Sequence, residues 1–530
     1  MDAPARDSWL GRKARELFGL DLRSMALFRV GLGVMLLMDL LKRSLAFTAH
    51  YTGEGIVPKE QIEDYLHVQP IFRLYMLSDE AWFQAGLFVS QALLALAFTV
   101  GYRTRLVAIL SFWMLVSLQR RNPFICHTGD GLLSVLALWA IFLPLGAAYS
   151  VDQLRRPRKP ELQRQHLSVA TFGFCFQLVC FYFMAGWFKA QQDVWLRGDA
   201  VMEFTRIDNY VTWFGSLLAD MPQVSRFFNH YTLVLEEYGS ILLFVPFLTP
   251  WLRLLGIFLF VTFHIGLHLA VYIGILELSS IVFVCALLPA EFWDVLLPRV
   301  PVPRTWRRAW SGLAQRLRSS ARAPQPGPVS PALRYARVGG SVLAGLLTVA
   351  VGYFNHESRD QDVGIGELPL TVTRFVRATH IAQHWIIFTD LNERPNGWFL
   401  VLAEREDGEI VDVLEETVFE QLERPERPAA FFPNHNMRRL WHLAALPRFK
   451  GLRPLLGDWL CRDWNARHDQ RIQRVSVFML EDVGEPGSMP PMLPVVDWTA
   501  DSADGSRAAW RPFVQEVGRR IRSSPRDAAL

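Results

Sequence analysis

Long apolar stretches fill the first two thirds of this 530-residue chain and restrict the folds that it can adopt. A helix needs about 20 mostly apolar residues to cross the hydrocarbon core of a membrane, within a working range of about 17–25. Nine stretches approach this length, so we predict nine membrane-spanning helices. The predicted spans are residues 25–41, 82–101, 104–119, 130–148, 168–188, 233–249, 253–273, 276–297 and 336–354.

The composition agrees with a membrane-embedded region joined to a soluble one. Hydrophobic residues make up 51% of the chain and charged residues 20%, below the roughly 25% usual in soluble domains. The 55 Lys and Arg against 51 Asp and Glu residues leave a net charge of only +4, so general binding to nucleic acid is not expected. The five cysteines contain no CxxC pair, which argues against zinc ribbons and thioredoxin-like redox motifs.

Basic loops indicate the orientation in the membrane. Three segments are rich in Lys and Arg: the residues before the first span, residues 154–166, and the connector 299–337 with nine arginines and no acidic residue. With nine spans all three lie on one side, which the excess of positive charge identifies as the cytoplasm. We therefore expect a multi-pass protein of the inner or plasma membrane, with a cytoplasmic N-terminus and an extracytoplasmic C-terminal domain.

The two ends of the chain differ from the apolar region. Residues 7–22 read as an amphipathic helix, capped by Asp7 or Ser8, that suits an anionic membrane surface. Beyond residue 355 the composition is that of a soluble domain, where Asp407-Gly408 indicates a β-hairpin. Residues 435–467 read as helix, and a strand follows from Val475.

We therefore predict a mostly α fold, a polytopic transmembrane helical bundle of about nine spans with a C-terminal soluble α+β domain. The expected regions are an interfacial amphipathic helix (1–24), the transmembrane bundle (25–297), a basic Pro-rich cytoplasmic connector (298–335), the last transmembrane helix (336–354) and the soluble extracytoplasmic domain (355–530).

Lys189 is the strongest candidate for chemistry, because ionisable groups at membrane depth are costly and suggest function. It ends an aromatic run that includes Tyr182, Trp187 and Phe188. Desolvation among aromatic rings favours the neutral amine, which can act as a general base. The alternative is a partly exposed lysine at the end of a span, reaching lipid head groups or making a cation–π contact with Trp187.

Histidines form a second set of candidates. His264 and His268 are four residues apart and share one face of a helix. His127 is the natural third partner, but no HExxH motif exists and a metal site is not expected. The interpretations that remain are hydrogen-bonded histidines lining a polar cavity and a purely structural role. Two interpretations also remain for Asp130, a role in the site and an ion pair with Arg29 across the bundle.

Several segments in this order resemble the HTTM family of polytopic membrane proteins, which includes the vitamin K-dependent gamma-glutamyl carboxylases. The resemblance covers roughly residues 20–300 well, and the remainder loosely. It rests on Leu27-Phe-Arg-Val-Gly-Leu-Gly, Tyr51-Thr-Gly-Glu-Gly-Ile-Val-Pro, Tyr182-Phe-Met-Ala-Gly-Trp-Phe-Lys with the following Trp195-Leu-Arg-Gly-Asp-Ala, and Phe263-His264 with Leu267-His268.

The resemblance implies catalytic roles for Lys189, as the base acting on reduced vitamin K or a related hydroquinone, and for His264 and His127. It departs from the carboxylase pattern at Cys126, where the carboxylases have Asn, and in a shorter C-terminal domain. We expect the quinone to contact the remaining site residues, which are His268, Asp130, Trp187, Tyr182 and Trp195.

The expected function is that of an integral membrane enzyme that oxygenates a reduced quinone to its epoxide and couples this to carboxylation of a peptidyl glutamate. Its expected partners are membrane lipids, the quinone and a glutamate-containing peptide or protein, without nucleic acid. The alternative is a non-catalytic membrane scaffold or maturation protein whose outer domain binds a polypeptide. A transporter is less favoured, since no inverted repeat is visible.

Overall fold

Helices make up most of the chain in the computed structural model. The structure describes residues 8–66, 70–155, 164–207, 210–299, 331–357, 369–389, 397–420, 422, 424–425, 428–481 and 492–499. The helices before residue 300 are α1 (Trp9–Phe18), α2 (Leu22–Ser44), α3 (Phe47–Tyr51), α4 (Lys59–Leu66), α5 (Ala81–Val100), α6 (Thr104–Arg121), α7 (Thr128–Ala140), α8 (Val151–Leu154), α9 (Val169–Lys189), α10 (Asp193–Arg197), α11 (Ala200–Phe204), α12 (Trp213–Ala219), α13 (Pro222–Leu242), α14 (Thr249–Ala270) and α15 (Leu276–Cys285). The later helices are α16 (Pro331–Glu357), α17 (Leu370–Ala378), α18 (His435–Ala445) and α19 (Leu452–Arg467).

Candidate membrane spans are fewer than the nine predicted, and the prediction of nine is not supported. Within the described ranges, five helices are long and apolar enough to cross a membrane: Leu22–Ser44, Ala81–Val100, Val169–Lys189, Thr249–Ala270 and Tyr335–Glu357. Helices α7 and α15 are apolar but have only 13 and 10 residues. Helices α6 and α13 are longer, but charged side chains interrupt their apolar character, among them Arg120 and Arg121 in α6 and Arg226, Glu236 and Glu237 in α13.

The bundle is built around two buried helices. Helix α2 packs against α5, α7 and α15, and α9 packs against α13 and α16. Close approach depends on glycine: a Cβ on Gly33 of α2 would lie 2.1 Å from Oγ1 of Thr99 on α5. Large side chains such as Trp139 and Phe174 are fully buried between these helices. The apolar faces of these helices thus share a large core.

Helix α1 covers one end of this bundle. Ser8 is its N-cap, accepting a hydrogen bond from the Gly11 amide at 3.1 Å, as one of the two predicted caps. The Phe18 ring packs against Phe172 of α9 and Phe244, while Trp9 points outward and is exposed. The helix ends at Phe18, earlier than predicted. The chain then forms strand β1 (Leu20–Asp21), which pairs antiparallel with β2 (Gln165–His166).

The C-terminal region contains a five-stranded antiparallel sheet of order β5-β4-β3-β6-β7. Its strands are β3 (Gly397–Arg405), β4 (Ile410–Asp412), β5 (Thr417–Val418), β6 (Ile472–Glu481) and β7 (Met492–Thr499). The predicted hairpin turn joins β3 to β4, with Gly408 at φ +82°, a conformation that suits glycine. The predicted helix over 435–467 is two helices, because Pro447 lies between them.

Three side chains at the start of α18 and just before it attach this sheet domain to the bundle. The Asn434 amide donates to the carbonyl of Lys42, and that of Asn436 to the carbonyl of Ile125. Arg438 donates to the carbonyl of Tyr272 at 2.9 Å. These contacts place the domain over the end of the bundle opposite α1. Most of the predicted connector, residues 300–330, lies outside the described residues.

Candidate functional site

A cavity lies among α9, α13 and α14, near the C-terminal ends of α9 and α14. The short helices α10 and α11 and the segment around Phe388 close it. Four of the predicted site residues line it, namely Tyr182, Lys189, Trp195 and His264; the other lining residues are Phe181, Phe204, Thr232, Glu236, Phe263, Leu267, Leu276, Ile387 and Phe388. The cavity therefore combines an aromatic wall with a few polar groups, the usual composition of a small-molecule site.

Lys189 is buried within this cavity, with 2% of its side chain exposed, and is not the partly exposed lysine of the alternative interpretation. Its Nζ donates a hydrogen bond to Oε2 of Glu236 on α13 at 2.6 Å. Gly186 allows the two helices to approach this closely, since a Cβ at this position would lie only 2.7 Å from the backbone nitrogen of Glu237. Each charge of this buried pair compensates the desolvation of the other.

The aromatic partner of the Lys189 ammonium is Trp195. Nζ lies 5.5 Å from the centre of the Trp195 ring, within the range of a cation–π contact. Trp187, the partner suggested by the sequence, packs against Phe188 instead and does not line the cavity. Lys189 is thus held between a carboxylate and an indole ring, and it does not extend to the lipid head groups.

Tyr182 and His264 form a second polar pair in the same cavity. The Tyr182 hydroxyl and Nε2 of His264 lie 2.8 Å apart, and the Tyr182 ring stacks on Phe260 with centroids at 4.0 Å. Both side chains are buried. Nδ1 of His264 is buried and has no hydrogen-bond partner among the described residues. One imidazole nitrogen is therefore fixed by the tyrosine, and the other is available.

Trp195 is held in place by the backbone of one segment and by a side chain of another. Its indole Nε1 donates to the carbonyl of Phe388 at 2.7 Å, and its own carbonyl accepts from the Asn229 amide of α13 at 2.7 Å. The chain can turn back over Lys189 because Gly198, after α10, adopts φ +89°. Trp195 therefore forms a fixed wall of the cavity.

The free volume of the cavity is about 30 Å³. A water molecule needs roughly 10–15 Å³ of such space, so the closed cavity accommodates one or two waters and not a quinone ring. A ring-sized ligand requires movement of lining side chains. Phe263 and Leu267 are only partly buried and lie on α14, so this side offers the least packed boundary.

His127 and Asp130 lie in a different place, at the end of the bundle below the C-terminal domain. Nδ1 of His127 accepts from the Gly129 amide at 3.0 Å, and Asp130 accepts from the His127 amide at 2.7 Å, so the two residues form a capping box at the start of α7. The His127 ring packs edge-on against His435 of α18, and burial lowers the pKa of His127 to about 4. The structure does not bring His127 and Asp130 into the Lys189 cavity.

The predicted ion pair between Asp130 and Arg29 is wrong. Asp130 pairs instead with the fully buried Arg43, which also binds Asp39 through Nε and donates to the Tyr51 hydroxyl. Arg29 lies toward the opposite end of the bundle. Among the described residues, its guanidinium donates to four backbone carbonyls, those of Thr99, Leu145, Ala148 and Tyr149. Five donors in a planar fork allow an arginine to satisfy several carbonyls at a loop.

His268 shares a helical face with His264 but does not line the cavity. Its Nδ1 is buried and lies 3.6 Å from Oε1 of Glu277 on α15, while 41% of its side chain is exposed. Glu277 itself is fully buried. No three or more His, Cys, Asp or Glu side chains within the described ranges are grouped to hold a metal ion.

Sequence reasoning missed two acidic residues that the structure places at these sites. Glu236 and Glu277 stood near the predicted starts of their spans, where a carboxylate can reach the head groups. Helix α13 in fact begins at Pro222, so Glu236 lies well inside it. Pro222 is the sequence signal that could have revealed the position of Glu236, because proline is common at the first position of a helix and marks the true start of α13.

The family model of the HTTM domain matches residues 19–292, just over half of the chain. The match includes every residue of the Lys189 cavity except Ile387 and Phe388. No curated protein and no solved structure matches the chain.

Proposed function

Because the chain belongs to the HTTM family, we propose that it is an integral membrane enzyme that oxygenates a reduced quinone to its epoxide, as the vitamin K-dependent gamma-glutamyl carboxylases do. The observation that carries the proposal is one cavity holding two buried polar pairs, Lys189 with Glu236 and Tyr182 with His264. A proton-accepting pair beside a hydrogen-bonding pair, within an aromatic wall, suits a hydroquinone better than a charged or sugar-like substrate.

The lining fits a hydroquinone in chemistry. Phe181, Trp195 and Phe388 offer ring faces and edges for a flat aromatic molecule. Nδ1 of His264, which has no partner in the described part of the chain, can hydrogen-bond a ring oxygen. The free volume of about 30 Å³ requires the cavity to widen, and we place the entry on the α14 side, where Phe263 and Leu267 are partly exposed. Entry there lets an apolar quinone arrive from the lipid.

The residues of the chain have distinct roles in this proposal. Glu236 takes a proton from the Lys189 ammonium, and the neutral amine so formed accepts the hydroxyl proton of the substrate. A positioned base typically accelerates such a step by about 10²–10⁴-fold. Tyr182 orients His264 through their 2.8 Å contact, and the imidazole fixes the ring oxygen. Trp195 and its neighbours exclude water. A bound hydroquinone supplies the electrons that reduce dioxygen, and the resemblance extends the proposal to carboxylation of a peptidyl glutamate as the coupled reaction.

The proposed topology follows from the packing at the two ends of the bundle. The end covered by α1 carries the basic residues Arg12, Lys13 and Arg15, which favours the cytoplasmic surface. The C-terminal domain then lies outside. Single cysteines at positions 165 and 408, on opposite ends, should label from opposite sides of an intact membrane. Labelling of both from one side would contradict this topology.

Epoxide formation is the direct test. The purified full chain in lipid nanodiscs is given reduced vitamin K and dioxygen, and mass spectrometry follows the epoxide. Wild type and the control Lys450→Ala, which lies in the C-terminal domain, should form epoxide, and Lys189→Ala should not. Lys189→Arg should also fail, because a guanidinium does not release its proton in the accessible pH range. Absence of epoxide from wild type with vitamin K and with other hydroquinones would refute the proposal and favour a scaffold.

A further inference from the structure

A polar pocket of about 320 Å³ lies at the α1 end of the bundle, between α1, β2, the start of α14 and the segment that follows α15. Its charged lining consists of three arginines and two glutamates, namely Arg12, Arg15, Arg253, Glu16 and Glu291. Pockets that bind small molecules usually enclose about 300–1,000 Å³, so this one suits a compact group. Charges of both signs favour a ligand that also carries both.

Three of these five side chains are already engaged within the protein. Glu16 forms an ion pair with Lys13 at 2.7 Å. Arg12 and Arg15 each take part in other interactions of the chain. These three therefore shape the pocket, and the groups left to bind a ligand directly are on Arg253 and Glu291.

Arg253 has one open edge on its guanidinium. The residue is buried, with 3% exposed. Its Nε donates to the carbonyl of Leu243, and its Nη2 donates to the carbonyls of Glu16 and Leu17. Nη1 has no hydrogen-bond partner among the described residues. A guanidinium that is fixed in this way and keeps free N–H groups is a strong donor to phosphate oxygens.

Glu291 supplies the opposite charge in the same pocket. It is partly buried, and its carboxylate forms no hydrogen bond or ion pair within the described part of the chain. Its charge acts on Arg253 without direct contact between the two side chains. A partly desolvated carboxylate is stabilised by a cation that also donates hydrogen bonds. The pocket thus offers one place for a phosphate and a separate place for an ammonium group.

Exposed aromatic residues put this pocket at the depth of lipid head groups. Trp9 of α1 and Trp251 of α14 are 64% and 51% exposed, and tryptophan is enriched at the membrane–water interface. Arg253 follows Trp251 by two residues, about 3 Å along the helix axis. Exposed apolar side chains continue from Trp251 along one face of α14, at Leu255 and Phe258. Acyl chains attached to a head group in the pocket can lie on this face.

We propose that this pocket binds the head group of phosphatidylethanolamine. The phosphate accepts hydrogen bonds from Nη1 of Arg253, and the primary ammonium donates to the carboxylate of Glu291. Phosphatidylglycerol carries the phosphate but no ammonium, and the trimethylated ammonium of phosphatidylcholine has no N–H to donate. The pocket therefore selects phosphatidylethanolamine from the other two lipids. This binding does not depend on the quinone chemistry proposed above.

The first test measures selectivity. Native mass spectrometry of the purified full chain gives the Kd of phosphatidylethanolamine, phosphatidylglycerol, phosphatidylcholine and diacylglycerol, all with the same acyl chains. Phosphatidylethanolamine should bind at least tenfold more tightly than each of the others. Glu291→Gln should weaken it at least tenfold without weakening phosphatidylglycerol, and the control Glu406→Gln, exposed in the sheet domain, should behave as wild type. Equal binding of phosphatidylethanolamine and phosphatidylglycerol to wild type would indicate a site for phosphate alone and overturn the proposal.

Arg253→Gln addresses the phosphate half of the site. Without Nη1, phosphatidylethanolamine and phosphatidylglycerol should both bind at least tenfold more weakly. Because Arg253 also holds the carbonyls of Glu16 and Leu17, hydrogen exchange of the α1 amides is compared with wild type first. Undiminished lipid binding with α1 intact would overturn the assignment. If α1 loosens, the Glu291→Gln variant decides.

The last test locates the lipid. Phosphatidylethanolamine with a photoreactive diazirine at the start of one acyl chain is crosslinked to the full chain in nanodiscs, and the labelled peptides are identified by mass spectrometry. Label should concentrate on residues 246–258 and fall at least fivefold there in Glu291→Gln. Inorganic phosphate at the lipid concentration should not reduce it; a reduction would indicate a site for free phosphate. Equal labelling of this segment in Glu291→Gln and wild type would refute the site, whatever the epoxide assay shows.

Discussion

The pairing of Lys189 with Glu236 predicts a large and specific stability effect. Both side chains are almost fully buried, with 2% and 8% exposed, so neither charge has water as an alternative partner. Removing one member of a buried pair leaves an uncompensated charge, which costs about 3–5 kcal/mol. Lys189→Met and Glu236→Met should each lower the free energy of unfolding by that amount. The double variant should lose much less, because two apolar side chains of similar length fill the space.

The interaction free energy of this double-mutant cycle is therefore expected to be about 3 kcal/mol or more. Unfolding free energies are measured on the full chain in bicelles by steric trapping. The matched control is the Lys13–Glu16 pair, which has the same residue types at 2.7 Å but side chains that are 31% and 34% exposed. Its cycle should give only about 0.2–1 kcal/mol.

Two results would refute this reasoning. Single variants that each lose under about 1 kcal/mol would show that the pair is hydrated, contrary to its burial. Losses that add in the double variant would show that the two side chains stabilise the protein independently. Epoxide formation should be absent from all three variants, so activity and stability separate in the double variant, which is stable but inactive.

Three further predictions concern groups outside the candidate spans. Burial raises the pKa of Asp412 to about 6, so its contribution to the free energy of unfolding should fall by up to about 3 kcal/mol as the pH rises from 4 to 6. Hydrogen exchange of the β4 amides should lose this pH dependence in Asp412→Asn but keep it in Asp407→Asn. Burial lowers the pKa of His127 to about 4, so protection of the amides at the start of α7 from hydrogen exchange should fall as the pH drops from 6.5 toward 4. His127→Asn should abolish this pH dependence. Arg438→Met should raise the rate of amide hydrogen exchange in α18 at least tenfold above that of the control Arg462→Met, whose side chain is exposed. Arg438 is buried and attaches α18 to the bundle.

All nine predicted spans fall on helices, but their ends could be read only in part. The predicted spans 130–148 and 276–297 each contain a proline, Pro144 and Pro289, that an apolar-length criterion ignores. Helices α7 and α15 end before these prolines, at Ala140 and Cys285, because proline cannot continue a helix without loss of a hydrogen bond. Hydropathy thus located the helices, and the prolines would have corrected two of the lengths.

The cavity was predictable where its residues follow one another in the chain. Tyr182 and Lys189 are seven residues apart on α9, so their common face could be read from the helical period. Glu236 and Phe388 reach the same cavity from distant segments, and no local pattern records such contacts. His127 was grouped with His264 as a third histidine and by resemblance, and the packing of α7 keeps the two residues in separate clusters.

The pairing of Lys189 with a carboxylate also explains why the cavity is so small. A lone buried lysine would be neutral or would destabilise the fold, whereas the Lys189–Glu236 hydrogen bond at 2.6 Å satisfies both groups in the resting protein. In the proposed mechanism, a hydroxyl that reaches the cavity must compete with this bond, and the Lys189 ammonium must pass its proton to Glu236 before the neutral amine can accept the hydroxyl proton. The cavity, whose free volume is about 30 Å³, then widens at the same time as the Lys189–Glu236 hydrogen bond breaks. The base becomes available only when an aromatic ring has displaced water from around it, which keeps the pair inert in the absence of substrate.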